Sequence, residues 1–235
     1  FIRMTKMSPL LERASETLKI EIAGLEGLIE RLDAEFEQAV NLLFACQGKV
    51  ILAGMGKSGL IAQKIAATLT STGTPSLFLH AGESSHGDLG IITRQDVVMV
   101  FSYSGETSEV VQMIGHIHAI GVPLIAMTGK PNSTLAKAAT VHLSIAVEKE
   151  ACPLGLTPTA SSTATLALGD ALAMCLLELR KFREDDFAMF HPGGSLGRKL
   201  TIKIKDVMVA GDSLPVVPEN MPMREALNVL SRKNL

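Results

Sequence analysis

The chain has no tryptophan, one tyrosine and eight phenylalanines, so aromatic residues make up only 4% of its 235 positions. That excludes a core built on rings. With 47% hydrophobic residues, the interior must be packed from Leu, Ile, Val, Ala and Met, which suits helices laid on a parallel sheet. No charge of one sign dominates: 22 basic and 24 acidic residues leave a formal charge of −2, with no long run of either sign. This balance gives no reason to expect a nucleic acid or a membrane surface as partner, and a small soluble ligand is expected instead. Cysteine is scarce too. Cys46, Cys152 and Cys175 are odd in number, far apart and form no C-x-x-C, against both a disulfide framework and a structural zinc site. A reducing, cytoplasmic compartment follows. No signal-peptide pattern opens the chain, and no apolar run reads as long enough to span a bilayer, the best candidate, 164–179, being interrupted by Gly169 and Asp170. The chain opens on Phe and stops in mid-pattern at "SRKNL", as a piece of something longer would, and its length suits one α/β domain with a piece left over.

What is present is an alternation. Five apolar, β-branched runs recur: "KVILAGM" (49–55), "PSLFLHA" (75–81), "DVVMVFSY" (96–103), "PLIAMTG" (123–129) and "VHLSIAV" (141–147). Near-continuous hydrophobicity marks strands buried on both faces. Helical patterns at 58–73, 105–121 and 133–139 lie between them, each opened by Ser, Thr or Gly. The fold class is therefore α/β: a doubly wound, five-stranded parallel sheet with helices on both faces. Ahead of it, residues 8–47 read as two helices broken at Gly24 and Gly27; after it, 157–182 reads as a long helix opened by Thr157 and Pro158. The texture changes again near 200–205, where a domain boundary is placed.

Two hydroxyl- and glycine-rich turns fall at strand C-terminal ends, where an open parallel sheet binds its ligands. "GMGKSG" (54–59) matches G-x-G-x-x-G, but the second strand ends in His80 rather than in an acid for a ribose. A P-loop fails because glycine would be needed at Ile51. What remains is an anion turn presenting Lys57 and Ser58. The second, "SYSGETSE" (102–109), offers Ser102, Ser104 and Thr107 at a helix N-terminus, with Ser104 as the expected N-cap. Glu106 would then sit in the first helical turn and favour the dipole whatever the function, whereas Glu109, one turn along, would need chemical work to justify a charge beside a bound anion. "HAGESSHGDLG" (80–90) adds His80, Glu83, His86 and Asp88, which form no known metal signature and suit substrate contact. Glu148 and Glu150 follow the fifth strand, and His191 precedes Pro192.

Together these motifs resemble the sugar isomerase (SIS) domain, a phosphosugar-binding fold whose S-x-S-G-x-T turn is here Ser102 to Thr107. More narrowly, "GMGKSG", "STGTP", "HGDLG", "SGETSE", "EKEACPLGLTPTASSTATLALGDALA", "DFAMFHPGGSLGRKL" and "EALNVLSRKNL" are similar to the D-arabinose-5-phosphate isomerase family over nearly the whole chain. The resemblance implies a SIS domain with its N-terminal helices over 1–202 and the incomplete start of a CBS domain over 203–235. It implies interconversion of D-ribulose 5-phosphate and D-arabinose 5-phosphate, feeding 3-deoxy-octulosonate and lipopolysaccharide synthesis. Lys57, Glu109, Glu150 and His191 match its functional residues, and Gly73, Thr74, His80 and His86 its substrate pocket. No cofactor and no metal ligand are implied. The partners are a phosphopentose and further copies of the chain, a homotetramer whose sites are shared between subunits.

An aldose–ketose isomerase needs an anion hold at one end and a base at the other. Ser58, Ser102, Ser104 and Thr107 suit the first need and Glu109 the second, with His191 carrying protons between sugar oxygens and Lys57 facing the enediolate; Glu109 and Glu150 could exchange roles. A non-catalytic phosphosugar sensor and another SIS sugar-phosphate isomerase are the alternatives.

Overall fold

Five short strands make one parallel sheet in the computed structural model, which describes residues 8–191 and 207–233, Ser85 by its backbone alone. β1 (Val50–Gly54), β2 (Ser76–His80), β3 (Val97–Phe101), β4 (Leu124–Thr128) and β5 (Val141–Ser144) lie in the order β2-β1-β3-β4-β5. Every pairing is parallel, and Gly54 is level with His80 on one side and Phe101 on the other. Side chains alternate between two apolar clusters. Leu52, Met99, Phe101 and Met127 join one, while Ile51, Ala53, Val98, Val100 and Ala126 join the other. With both faces covered, β1, β3 and β4 are buried throughout, and that is why their sequences run apolar without a break.

α3 (Gly56–Ser71) and α6 (Ala160–Leu179), backed by α1 (Pro9–Glu30) and α2 (Ala34–Ala45), cover the first face. α4 (Ser108–Ile120) and α5 (Thr134–Ala138) cover the second. The N-terminal helices do not break where glycine suggests. α1 runs through Gly24 and Gly27, and the interruption falls at 31–33, where Asp33 caps α2 by accepting the N–H of Glu35. Gly24 stays helical because α1 needs it small: a Cβ there would meet Val147 at 3.3 Å and Ala160 at 3.7 Å. Close packing offsets the roughly 1 kcal/mol that glycine costs inside a helix.

α6 corrects two expectations. It begins at Ala160 after Thr159, so Thr157 and Pro158 precede it. At 20 residues it is also long and apolar enough, by length and composition, to cross a membrane, because Gly169 and Asp170 interrupt it less than they suggest. Its packing makes it a core helix. Leu168, Leu172 and Leu176 join the first cluster, Gly169 admits Ile65 so closely that a Cβ would lie 2.3 Å from it, and Asp170 pairs with Lys64 at 2.5 Å.

The described residues divide between Arg183 and Glu184 into two compact units. The first holds the sheet and α1 to α6; the second includes α7 (Glu184–Phe190) and α8 (Met223–Arg232), the latter burying none of its residues. The domain boundary expected between 202 and 203 lies outside the described residues.

Candidate active site

The strand order reverses between β1 and β3, so the loops leaving them turn to opposite faces and open a crevice at the C-terminal edge of the sheet. On one side, β1 ends at Gly54 and α3 begins at Gly56. This tight join needs its glycines: a Cβ on Gly59 would lie 2.9 Å from the Gly54 carbonyl oxygen, and Gly56 adopts φ +55°. Lys57 and Ser58 therefore sit in the first turn of α3, whose N-cap residue Met55 supplies no side-chain cap. The first-turn N–H groups therefore receive no bond from an N-cap side chain, an arrangement that can accept an anion.

On the other side lies the turn from β3 to α4. Ser102 is buried, and its Oγ lies 3.0 Å from Thr107 Oγ1 while accepting the Gly105 N–H at 3.1 Å. Ser104 is not the N-cap. It accepts the Glu106 N–H at 3.2 Å within the turn, and α4 starts at Ser108 with Thr107 before it, making no side-chain cap. Starting later reverses the reading of the two carboxylates. Glu106 precedes the helix and accepts the Thr134 N–H at 2.7 Å, closing the N-terminus of α5. Glu109 occupies the first turn of α4 and takes a hydrogen bond from Ser108 Oγ at 2.9 Å. The backbone N–H and then the hydroxyl of Thr134 hold the Glu106 carboxyl below the usual carboxylate range. Glu109's own backbone N–H and then the Ser108 hydroxyl do the same for Glu109. Glu109 is thus ionised and able to accept a proton at neutral pH.

His80 closes β2 level with Gly54, its ring edge-on to Phe78 at 6.3 Å and resting over Gly82, where a Cβ would come 3.1 Å from it. It borders a cavity of about 560 Å³ with Phe78, Leu79, Gly87, Asp88 and Ile91. His86 is exposed at the end of the 3-10 turn Ala81–His86, which packs on α4.

Glu150 lies in the segment joining β5 to α6, and that segment is tied to the crevice. Tyr103, inside the β3–α4 turn, accepts the Val147 N–H at 3.3 Å through its hydroxyl, and its ring fills the space a Cβ on Gly129 would need. Glu150 Oε2 accepts the Thr159 N–H at 2.7 Å, the Thr159 hydroxyl at 2.9 Å and the Ser161 N–H at 3.4 Å. Burial pushes its carboxyl up, but the hydrogen bonds from Ser161 and Thr159 outweigh that and leave it below the usual range.

One edge of one unit therefore gathers Lys57, Ser58, His80, His86, Ser102, Ser104, Thr107 and Glu109, with Glu150 tethered to it. Gly73 and Thr74 are not brought there. They precede β2, about 20 Å along the strand direction from His80. Thr74 is 1% exposed and bonded by Arg180 Nε at 3.0 Å, and a Cβ on Gly73 would lie 2.7 Å from the Phe182 ring. His191 belongs to the second unit, where its ring stacks on Phe187 at 3.9 Å and its Nδ1 lies 2.9 Å from the Phe187 carbonyl oxygen.

Sequence reasoning gave Cys152 no role. Its thiol is pulled down to about 6 by the backbone N–H of Thr157, then the Thr157 hydroxyl and the N–H groups of Leu156 and Leu154. The sequence carries no signal for this, because the loop must fold around the sulfur first. A lowered pKa means the thiolate is the major form at neutral pH. Iodoacetamide labelling of Cys152, followed by mass spectrometry, should reach half its plateau rate near pH 6; a midpoint above pH 8 would contradict a lowered thiol pKa.

The SIS domain family model matches residues 43–175. Arabinose 5-phosphate isomerase KdsD of Escherichia coli (strain K12) is 51% identical over 224 residues, covering 95% of this chain and 68% of the relative. The KdsD of Pseudomonas aeruginosa is 49% identical over 234 residues, covering 100% of this chain and 72% of the relative. Among solved structures, E. coli CFT073 c3406 in complex with arabinose 5-phosphate superposes with a TM-score of 0.76 at 42% identity, over 79% of this chain and 100% of that one. Fold and sequence agree over the unit that carries the crevice, and the chain belongs to the SIS-domain proteins and, within them, to the arabinose 5-phosphate isomerase KdsD family.

Proposed function

We infer that the chain is an aldose–ketose isomerase that interconverts D-ribulose 5-phosphate and D-arabinose 5-phosphate. The observation that carries this reading is the β3–α4 turn: a hydroxyl-lined helix N-terminus with an ionised carboxylate, Glu109, in its first turn. Phosphate binds through Ser102, Ser104, Thr107 and the first-turn N–H groups of α4 and α3. From the aldose, Glu109 removes the proton at C2 while the aldehyde oxygen takes up negative charge, which Lys57 stabilises. The enediol(ate) is then reprotonated at C1, and the hydroxyl proton passes from O2 to O1 through His191 or Glu150. Both carboxylates are ionised, so Glu109 and Glu150 can exchange roles, and paired substitutions separate them. Such a product suits supply of 3-deoxy-octulosonate, and a phosphorylated substrate suits a cytoplasmic enzyme.

The reading includes a homo-oligomer with shared pockets, and residues 203–235 as the start of a CBS domain. α1 supports the oligomer: Leu11, Leu18, Ile22 and Ile29 are all more than half exposed, and their spacing puts them within about 40° of one another around the helix. His191, in the separate unit, would act in an assembled pocket. The test is a panel of sugar phosphates assayed with the purified chain. Turnover of D-ribulose 5-phosphate and D-arabinose 5-phosphate, with D-ribose 5-phosphate and hexose 6-phosphates inert, is expected. Binding of all with turnover of none would leave a sensor instead.

A further inference from the structure

We propose that Thr159 is a positioning residue for the isomerisation, holding the Glu150 carboxylate in register with the crevice through its side-chain hydroxyl. The inference rests on the reading of Glu150 as part of the reaction machinery. Thr159 stands at the N-cap of α6, where a threonine ordinarily turns its own oxygen back to accept an N–H of the first helical turn. Here it makes no such bond. Its Oγ1 instead accepts the Ala151 N–H at 2.8 Å and donates to Glu150 Oε2 at 2.9 Å. One oxygen thus grips both the carboxylate of residue 150 and the backbone immediately after it, closing a small ring that fixes the side chain against the main chain.

The helix N-terminus completes the hold. The N–H of Ser161, which a cap side chain would otherwise satisfy, and the N–H of Thr159 itself point at the same Oε2. All three bonds recorded among the described residues fall on Oε2, which leaves Oε1 to reach a substrate. The carrier segment is also pinned upstream by the Tyr103 hydroxyl at Val147, and Tyr103 lies between Ser102 and Ser104 of the anion turn. Glu150 is therefore fixed at both ends of its segment relative to the phosphate hold. Such a hold is what a group needs if it must meet a sugar oxygen within hydrogen-bond reach, because small displacements cost rate more than binding.

The experiment compares Thr159→Val, which keeps the shape and removes the hydroxyl, with Thr159→Ser, which keeps it, in the intact chain. Thr159→Val should lower kcat about 10- to 100-fold with KM for D-arabinose 5-phosphate within about twofold, and Thr159→Ser should restore at least half of the wild-type kcat. On a Glu150→Gln background, the Val change should cost no more than about twofold, because both changes remove one interaction. If Thr159→Val does not fold, Thr159→Ala carries the same comparison. Wild-type kcat in the hydroxyl-less variant, with Glu150→Gln strongly impaired, would overturn the role of Thr159 alone. Wild-type kcat in Glu150→Gln would remove Glu150 from the reaction, and the inference with it. A purely structural cap is recognised by a fall in melting temperature with kcat unchanged in the folded fraction, and that outcome also overturns the proposal.

Discussion

Glu109→Gln is expected to lower kcat by about 100- to 10,000-fold while KM for D-arabinose 5-phosphate changes by no more than a few fold. Glutamine keeps the size and can still accept the Ser108 hydroxyl, so the turn proposed to hold phosphate should survive. What is lost is the ability to take a proton from carbon. The low pKa of this carboxylate sets the pH dependence. A group held below the usual carboxylate range stays charged until the pH falls through its own lowered value, so the base form is fully present at neutral pH and this carboxylate should put the acid limb of kcat/KM below the range of an ordinary glutamate. Steady-state kinetics on the variant, with isothermal titration of the phosphosugar, checks both halves. Wild-type turnover in Glu109→Gln would take Glu109 out of the mechanism and leave Glu150 as the base.

Gly105→Ala should damage the anion turn itself. Gly105 has φ +67°, a conformation that costs an L-residue about 1–2 kcal/mol. A Cβ there would lie 2.1 Å from Ser133 Oγ and 2.5 Å from Ser133 Cβ. Ser133 cannot yield freely, because its hydroxyl caps α5 by accepting the Ala136 N–H and donates to the Lys130 carbonyl at 2.7 Å. Gly105 must therefore move, taking with it the N–H held by Ser102 and the carbonyl that accepts from Leu135. A loss of about 2–4 kcal/mol in urea unfolding and at least a tenfold rise in phosphosugar Kd are expected. Gly115→Ala is the control. That glycine lies inside α4 with nothing within 4 Å of an added Cβ, so the change should be neutral or stabilise by up to about 1 kcal/mol, with kinetics unchanged.

The sheet was legible in the sequence because β1, β3 and β4 are buried on both faces and so write themselves as unbroken apolar runs. The two strand-to-helix turns were legible because glycine and serine gather where strand passes to helix. Helix boundaries were less so. Ser104 and Thr107 are both chemically able to cap α4, and only the bonds Ser104 makes inside the turn decide for Thr107. Gly24 reads as a breaker, yet the approach of Val147 and Ala160, over a hundred residues away, turns it into a packing requirement. The link between Glu150 and Thr159 is hidden although only nine residues separate them, since neither residue announces the other until the loop between them is folded. Gly73 and Thr74 lie before β2, engaged within the chain by Phe182 and Arg180, a placement their motif does not reveal because both partners come more than a hundred residues later.

The most direct test of an enediol(ate) isomerase built on this crevice is proton exchange at carbon. The purified chain, incubated with D-ribulose 5-phosphate in D2O and followed by NMR, should form D-arabinose 5-phosphate carrying deuterium at C2, with the label absent in Glu109→Gln or, if the roles of the carboxylates are exchanged, in Glu150→Gln. Formation of D-arabinose 5-phosphate with no deuterium at C2, or no product from the wild-type chain that binds the sugar, would contradict it.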